Sequence, residues 1–196
     1  YINSSVIFSV ELGKELSELM PGQGISSKTD IIGIKTDVQK NYGFTKEDCK
    51  EFNFTKVRSE IQLLQFPFQI MSLNGVLLRQ DISMLFQSRT SAVLSSNNLF
   101  TNATNIFAEE SAVAENAFIN ASTGPIYIIR GPVALLDGTV VKMGAKIYGA
   151  VTAGHQCTIG GEIKNSVFFD YSNKAHDGYL GDAVIGAWCN LGAGTS

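Results

Sequence analysis

The sequence predicts a mainly β protein, a parallel β-helix preceded by an α+β segment, and three observations point there. Apolar residues return at a step of six: Ile129, Leu135, Val141, Ile147, Ala153 and Ile159. Four residues after each stands a small or apolar partner: Val133, Thr139, Ala145, Val151, Cys157 and Ile163. A step of six is neither the helical 3.6 nor strand alternation, but it fits a coil in which each side is one short strand and its turn. Third, the repeat breaks its own rule at SNKAHDGYLGD. Continued strictly, the register puts Asn165 and Tyr171 at i and Phe169 and Ala175 at i+4, and it recovers at Ile185-Gly186 and Leu191-Gly192. A break that supplies Lys, His, Asp and Tyr together is a candidate site.

The 196 residues allow one or two domains with real cores, and 44% hydrophobic with 17% charged residues is a globular composition. A net charge of −3 gives no electrostatic case for nucleic acid or an anionic membrane as partner. No apolar run reaches the roughly 20 residues of a membrane span. The three cysteines, Cys49, Cys157 and Cys189, lack metal-ligand spacing, and Cys157 and Cys189 fall on i+4 positions where small buried residues are wanted. A reduced, cytoplasmic protein is the simplest expectation. The chain begins at Tyr1 and stops at LGAGTS without an end cap for the coil, so a longer protein is expected.

Along the chain, YINSSVIF reads as a strand. Ser9 caps a helix with an apolar face of Leu12, Leu16, Leu19 and Met20, ended by Pro21-Gly22. DIIGIKT reads as a second strand, and KNYGFTKEDCKEF is polar without a period. Pro67 opens a helix from about Phe68 to Leu85, with Ile70, Leu73, Leu77 and Leu78 at helical spacing despite Asn74-Gly75. Residues 86–105, rich in Ser, Thr and Asn, hold the expected boundary, giving units of 1–90 and 91–196. A first hexad series follows, with Phe107, Val113 and Ile119 at i and Ser111, Ala117 and Thr123 at i+4. Ile119 to Ile129 is not a multiple of six. Either TGPIYIIR contains a turn distortion, or chain is absent between Ile128 and Ile129.

The motif Lys174-Ala175-His176, Tyr179-Leu180-Gly181-Asp182, Ile185-Gly186 and Asn190-Leu191-Gly192-Ala193-Gly194-Thr195, with Glu162-Ile163-Lys164 upstream, resembles the acetyltransferase region of the bacterial bifunctional N-acetylglucosamine-1-phosphate uridyltransferase/glucosamine-1-phosphate N-acetyltransferase family. That pattern has K-A-G-H, and Ala175 stands here where it has Gly. NASTGPIYI, VKMGAKIYGA and GGEIKNSVFF are closer still to a variant associated with Bacteroidetes-like bacteria. The resemblance covers roughly residues 60–196. It implies an α/β nucleotidyltransferase, of which residues 1–90 are the C-terminal part, fused to a left-handed parallel β-helix that trimerises. The left hand departs from the usual right-handed crossover and comes from the resemblance alone.

For the site, the resemblance implies His176 as general base, an imidazole able to take the proton of an attacking amine. Glu162 would orient that imidazole. Lys164 would hold the sugar phosphate, Tyr179 and Asn190 the sugar, and the Ala193 backbone acetyl-CoA. The substrates implied are a sugar phosphate, acetyl-CoA and UTP, with Mg²⁺ for the nucleotidyltransferase, its ligands mostly outside this chain. Bland readings stand beside these: His176 as a loop residue, Glu162 and Lys164 as solvated charges. Asn74 is read as a helix or turn residue, His155 has no role, and Trp188 packs at a coil edge or interface. One departure touches phosphate binding: GPVALLDG carries Leu135 and Leu136 where the family pattern has Arg. The function implied is UDP-N-acetylglucosamine synthesis. The alternatives are another sugar phosphate or acyl donor on the same scaffold, or a non-catalytic trimerisation stalk.

Overall fold

A computed structural model describes residues 1–40, 43–121 and 132–195. The chain forms two compact units, residues 1–65 and 66–196. The register slip expected at 123–130, together with Thr123, Ile129 and Arg130, lies outside the described residues.

In the first unit, helix α1 (Val10–Ser17) starts at Ser9, whose side chain accepts from the Leu12 N–H at 3.2 Å. A three-stranded sheet has β1 (Gln23–Ser26) between antiparallel β2 (Ile31–Lys35) and parallel β3 (Asn53–Lys56). Leu12, Leu19, Ile25 and Ile32 form the core. Two expectations are corrected. Residues 1–8 make only isolated bridges, Ile2 to Gly33 and Val6 to Leu63, because Asn3 closes a local turn by accepting from the Ser5 N–H at 3.0 Å. Met20 is exposed, since α1 ends before it.

The second unit is the parallel β-helix, with three faces. The first carries Leu99–Thr101, Phe118–Asn120, Lys146–Tyr148 and the starts of the long strands Glu162–Phe168 and Tyr179–Ile185. The second carries Ile106–Ala108, Val133–Leu135, Val151–Ala153 and the ends of those same strands. The third carries Val113–Ala114, Val140–Val141, Thr158–Ile159 and Asn173–Lys174, continued by a bridge from Asn173 to Asn190. Both long strands turn a corner in mid-course, at Asn165 and Asp182, which have positive φ of 43° and 51°.

The hexad positions from Val133 to Ile163 are all buried. Their interior columns stack like on like, for example Ile119, Ile147 and Ile163 with half-buried Leu180. Beyond Ile159 the step of six fails at the corners. Ile147 lies over Ile163, and Ala153 over Phe168. Gly160-Gly161 turns with two residues fewer than Lys142–Ala145, and the Asn165 corner with one fewer than Gly149-Ala150. Asn165 and Tyr171 are therefore corner residues with positive φ. Phe168 and Lys174 take the interior positions, while Phe169 is exposed. Cys189 is exposed too, because no described coil stacks on it.

The first series is shifted by one only at its start, while Ala117 and Ile119 are buried in the interior as expected. Ala108, Ala112 and Ala114 point inward, and Val113 is exposed. Phe107 points outward yet is buried, because α2 (Phe68–Ser88) lies along the second face with Leu78 and Ile82 packed on Phe107 and Ala134. Phe86 meets Phe107 edge-on at 5.7 Å between ring centroids. Asn74 of α2 donates to Ala150 O at 3.2 Å and accepts from Thr152 Oγ1 at 2.9 Å, which gives it a packing role.

Candidate functional site

The first face stacks outward-pointing residues in two columns. One runs Phe118, Lys146, Glu162, Tyr179, and the other Asn120, Tyr148, Lys164, Gly181. Strand pairing thus makes Glu162 and Tyr179 neighbours and sets Lys164 two residues from Glu162 on the same face, as side-chain alternation requires. Gly181 leaves room for the Tyr179 ring to lie over it: a Cβ there would fall 2.1 Å from the Tyr179 hydroxyl. Lys164 Nζ stands 3.6 Å from Asp182 Oδ2, and Asp182 is held in turn by Asn165 Nδ2 at 2.7 Å.

Tyr148, absent from the sequence expectation, donates its hydroxyl hydrogen bond to Glu162 Oε1. That carboxylate and partial burial push the Tyr148 phenol up to about 12, so it stays a donor throughout the neutral range. A signal for it was present: Lys146-Ile147-Tyr148 and Glu162-Ile163-Lys164 are the same tripeptide of successive coils, so Tyr148 stacks on Lys164.

His176 sits on the bend between the third and first faces, exposed. The bend lies directly against Gly161, where a Cβ would come 2.6 Å from Gly178 O and 2.9 Å from His176 O. Gly178 O also accepts from the Glu162 N–H at 3.0 Å, which ties the loop to the head of the Glu162 strand. The His176 imidazole has no hydrogen-bond partner among the described residues; the Glu162 carboxylate is engaged by Tyr148 instead.

Asn190 is not brought to this cluster. It lies on the third face, exposed, accepting from Asn173 Nδ2 at 2.9 Å. Asn173 Oδ1 beside it is the one buried side-chain polar atom without a partner among the described residues, an acceptor open to an N–H or O–H donor. Ala193 is exposed beyond Asn190. Leu135 points into the coil interior and so cannot face a substrate. Among the described residues, no group of three or more His, Cys, Asp or Glu is set to hold a metal ion. No helix among them is long and apolar enough to cross a membrane.

No family model matches the chain. Individual proteins do, among them several named Bifunctional protein GlmU. One from a Cyanothece species is 38% identical over 86 residues, 43% of this chain and 19% of that protein. One from Trichodesmium erythraeum is 37% identical over 83 residues, 41% of this chain and 18% of that protein. One from a Nostoc species is 36% identical over 86 residues. The chain thus spans about a fifth of the length of these relatives. Over the part that matches, the chain is similar to proteins named Bifunctional protein GlmU, the family its motif resembles.

Proposed function

We propose that the intact protein is a cytoplasmic transferase that makes UDP-N-acetylglucosamine. Its β-helix moves an acetyl group from acetyl-CoA to glucosamine-1-phosphate. A preceding domain, whose C-terminal part is residues 1–65, then transfers uridylyl from UTP with Mg²⁺, while α2, expected to belong to it, packs on the β-helix. The observation that carries this reading is the meeting of Glu162, Lys164 and Tyr179 on one face, at the foot of the loop bearing His176, in a chain similar to GlmU proteins.

The sugar amine attacks the thioester carbonyl and forms the C–N bond as the C–S bond breaks. His176 takes the proton the amine sheds and passes it to the departing thiolate, work that needs a base able to change charge near neutrality. Glu162, held by Tyr148, stands at the head of the strand to which the His176 loop is tied, the place from which it orients the base. Lys164 turns from Asp182 to the sugar phosphate, an ion pair loose enough at 3.6 Å to exchange partners. Tyr179 lies against the sugar, and the backbone at Ala193 receives acetyl-CoA. Asn190, on another face, completes the site from a neighbouring copy in a homotrimer. Sedimentation of the intact protein is expected to give a trimer, and a stable monomer at assay concentration would remove Asn190 from the site.

His176→Ala in the full-length protein should lower acetyl transfer by about 10²- to 10⁴-fold, the usual contribution of a positioned base, and leave uridylyl transfer unchanged. Acetyl transfer at the wild-type rate in this variant would sink the assignment. Activity with a different sugar phosphate or acyl donor alone would replace the substrates while keeping the base.

A further inference from the structure

One buried group has no part in the chemistry above. Lys174 stands in the interior column formed by Ala114, Val141 and Ile159, and it is fully buried. An ammonium inside an apolar column is costly unless its hydrogens are all bonded. Among the described residues no carboxylate pairs with it. Its partners are three successive backbone carbonyls: Nζ donates to His176 O at 2.6 Å and reaches Asp177 O and Gly178 O at 3.5 Å each. Three N–H donors thus meet three acceptors that converge from one bend.

The bend is gripped from the other side as well. Gly160 and Gly161 press against it so closely that a Cβ on Gly160 would fall 2.5 Å from Ala175 O. Three carbonyls turned inward toward one point repel each other, and the cation lets them converge.

We propose that Lys174 is the positioning residue for His176: from inside the coil its ammonium gathers the carbonyls of His176, Asp177 and Gly178, and so sets the loop that presents the imidazole. The kinetic part of this inference rests on the acetyl-transfer reading; the structural part does not.

The test uses the full-length protein with Lys174→Met, which fills the column without the charge, and Lys174→Arg, which keeps a cation. Loop opening is read as the rate of cleavage after Asp177 by a protease specific for acidic residues. Lys174→Met is expected to melt no lower than wild type, yet to be cut at least about tenfold faster at this site, because only the local bend is released. Its kcat for acetyl transfer should fall roughly 10- to 100-fold, as misplacement of a catalytic group by about 1 Å does. KM for the sugar phosphate should change less than about twofold, the signature of a lost transition-state arrangement rather than lost binding. Lys174→Arg should recover part of kcat.

Unchanged cleavage and unchanged kcat in a folded Lys174→Met protein overturn the proposal, and so does a fall in kcat that follows only a fall in melting temperature. Faster cleavage in a protein whose wild type shows no acetyl transfer supports the clamp and sinks the functional reading instead. Should Lys174→Met not fold, the wild-type protein decides. Cleavage after Asp177 as fast as in the urea-unfolded chain removes the clamp, and protection of that bond supports it.

Discussion

Single residues show how this chain settles polar groups inside apolar surroundings. Thr139 Oγ1 donates to Gly154 O at 3.0 Å, and Ser172 Oγ to Gly186 O at 2.6 Å, each bridging one coil to the next. In the first unit the almost buried Glu15 accepts from the Arg58 N–H at 2.9 Å and the Ser59 N–H at 2.6 Å, and from the Ser59 hydroxyl. The Ser59 hydroxyl first, then the Arg58 amide, hold its carboxyl below the usual range against the opposing effect of burial. A carboxyl whose folded pKa is depressed adds stability that is full above its unfolded pKa, about 4.3 for Glu, and is lost as pH falls through the folded value. Glu15→Gln should therefore destabilise the first unit by about 1–3 kcal/mol at pH 7 and flatten its loss of stability below about pH 4. Denaturant titrations at a series of pH values check both. An acid slope as steep in the variant as in wild type would assign the effect to other carboxyls.

At the scale of elements, the helices and the regular coils were legible, and the corners were not. Ser9 and Pro67 mark the starts of both helices, and the hexads from Val133 to Ile163 name interior residues correctly, because each rests on local chemistry repeated at a fixed step. The shortened corners at Gly160-Gly161 and Asn165 leave no periodic trace. The two shortened corners together lose three residues and reset the phase, so Lys174 hides in what looks like surface. Phe107 is buried as expected but points outward: its burial depends on α2, a helix ending some 20 residues before it that no strand pattern announces. Of the candidate site, Glu162, Lys164, Tyr179 and His176 were named through the motif, and the structure sets the first three on one face with His176 on the adjoining bend. Tyr148 was missed because its role exists only through coil-on-coil stacking. The same packing supplies a contrast. Phe107→Ala should cost about 3–5 kcal/mol, as large-to-small changes in a closed core do, and should loosen α2 to proteolysis. Val113→Ala, at the next expected hexad position but exposed, should stay within about 0.5 kcal/mol. Equal melting shifts for the two would mean that α2 does not hold the second face.

For the whole molecule, the two units carry separate apolar cores, Leu12–Leu19–Ile25–Ile32 in one and the interior columns in the other. Cores built this way melt by themselves, so calorimetry of the 196-residue chain should resolve two transitions. Leu12→Ala should destabilise only one, by about 2–5 kcal/mol. A single transition displaced as a whole would show that the chain unfolds as one cooperative body.

The uneven corners carry one more consequence, for how such a chain changes over generations. A residue lost inside a strand turns every later side chain of that strand to the opposite face, whereas a residue lost at a corner leaves every ladder paired. Ile147 over Ile163 and Ala153 over Phe168 show that outcome, with the interior columns continuous across both shortened turns. Insertions and deletions in such proteins should therefore collect at corners such as Lys142–Ala145. Alignments between relatives should accordingly place their gaps there and at the Asn165 and Asp182 corners, with the straight strand segments between corners carried through unbroken.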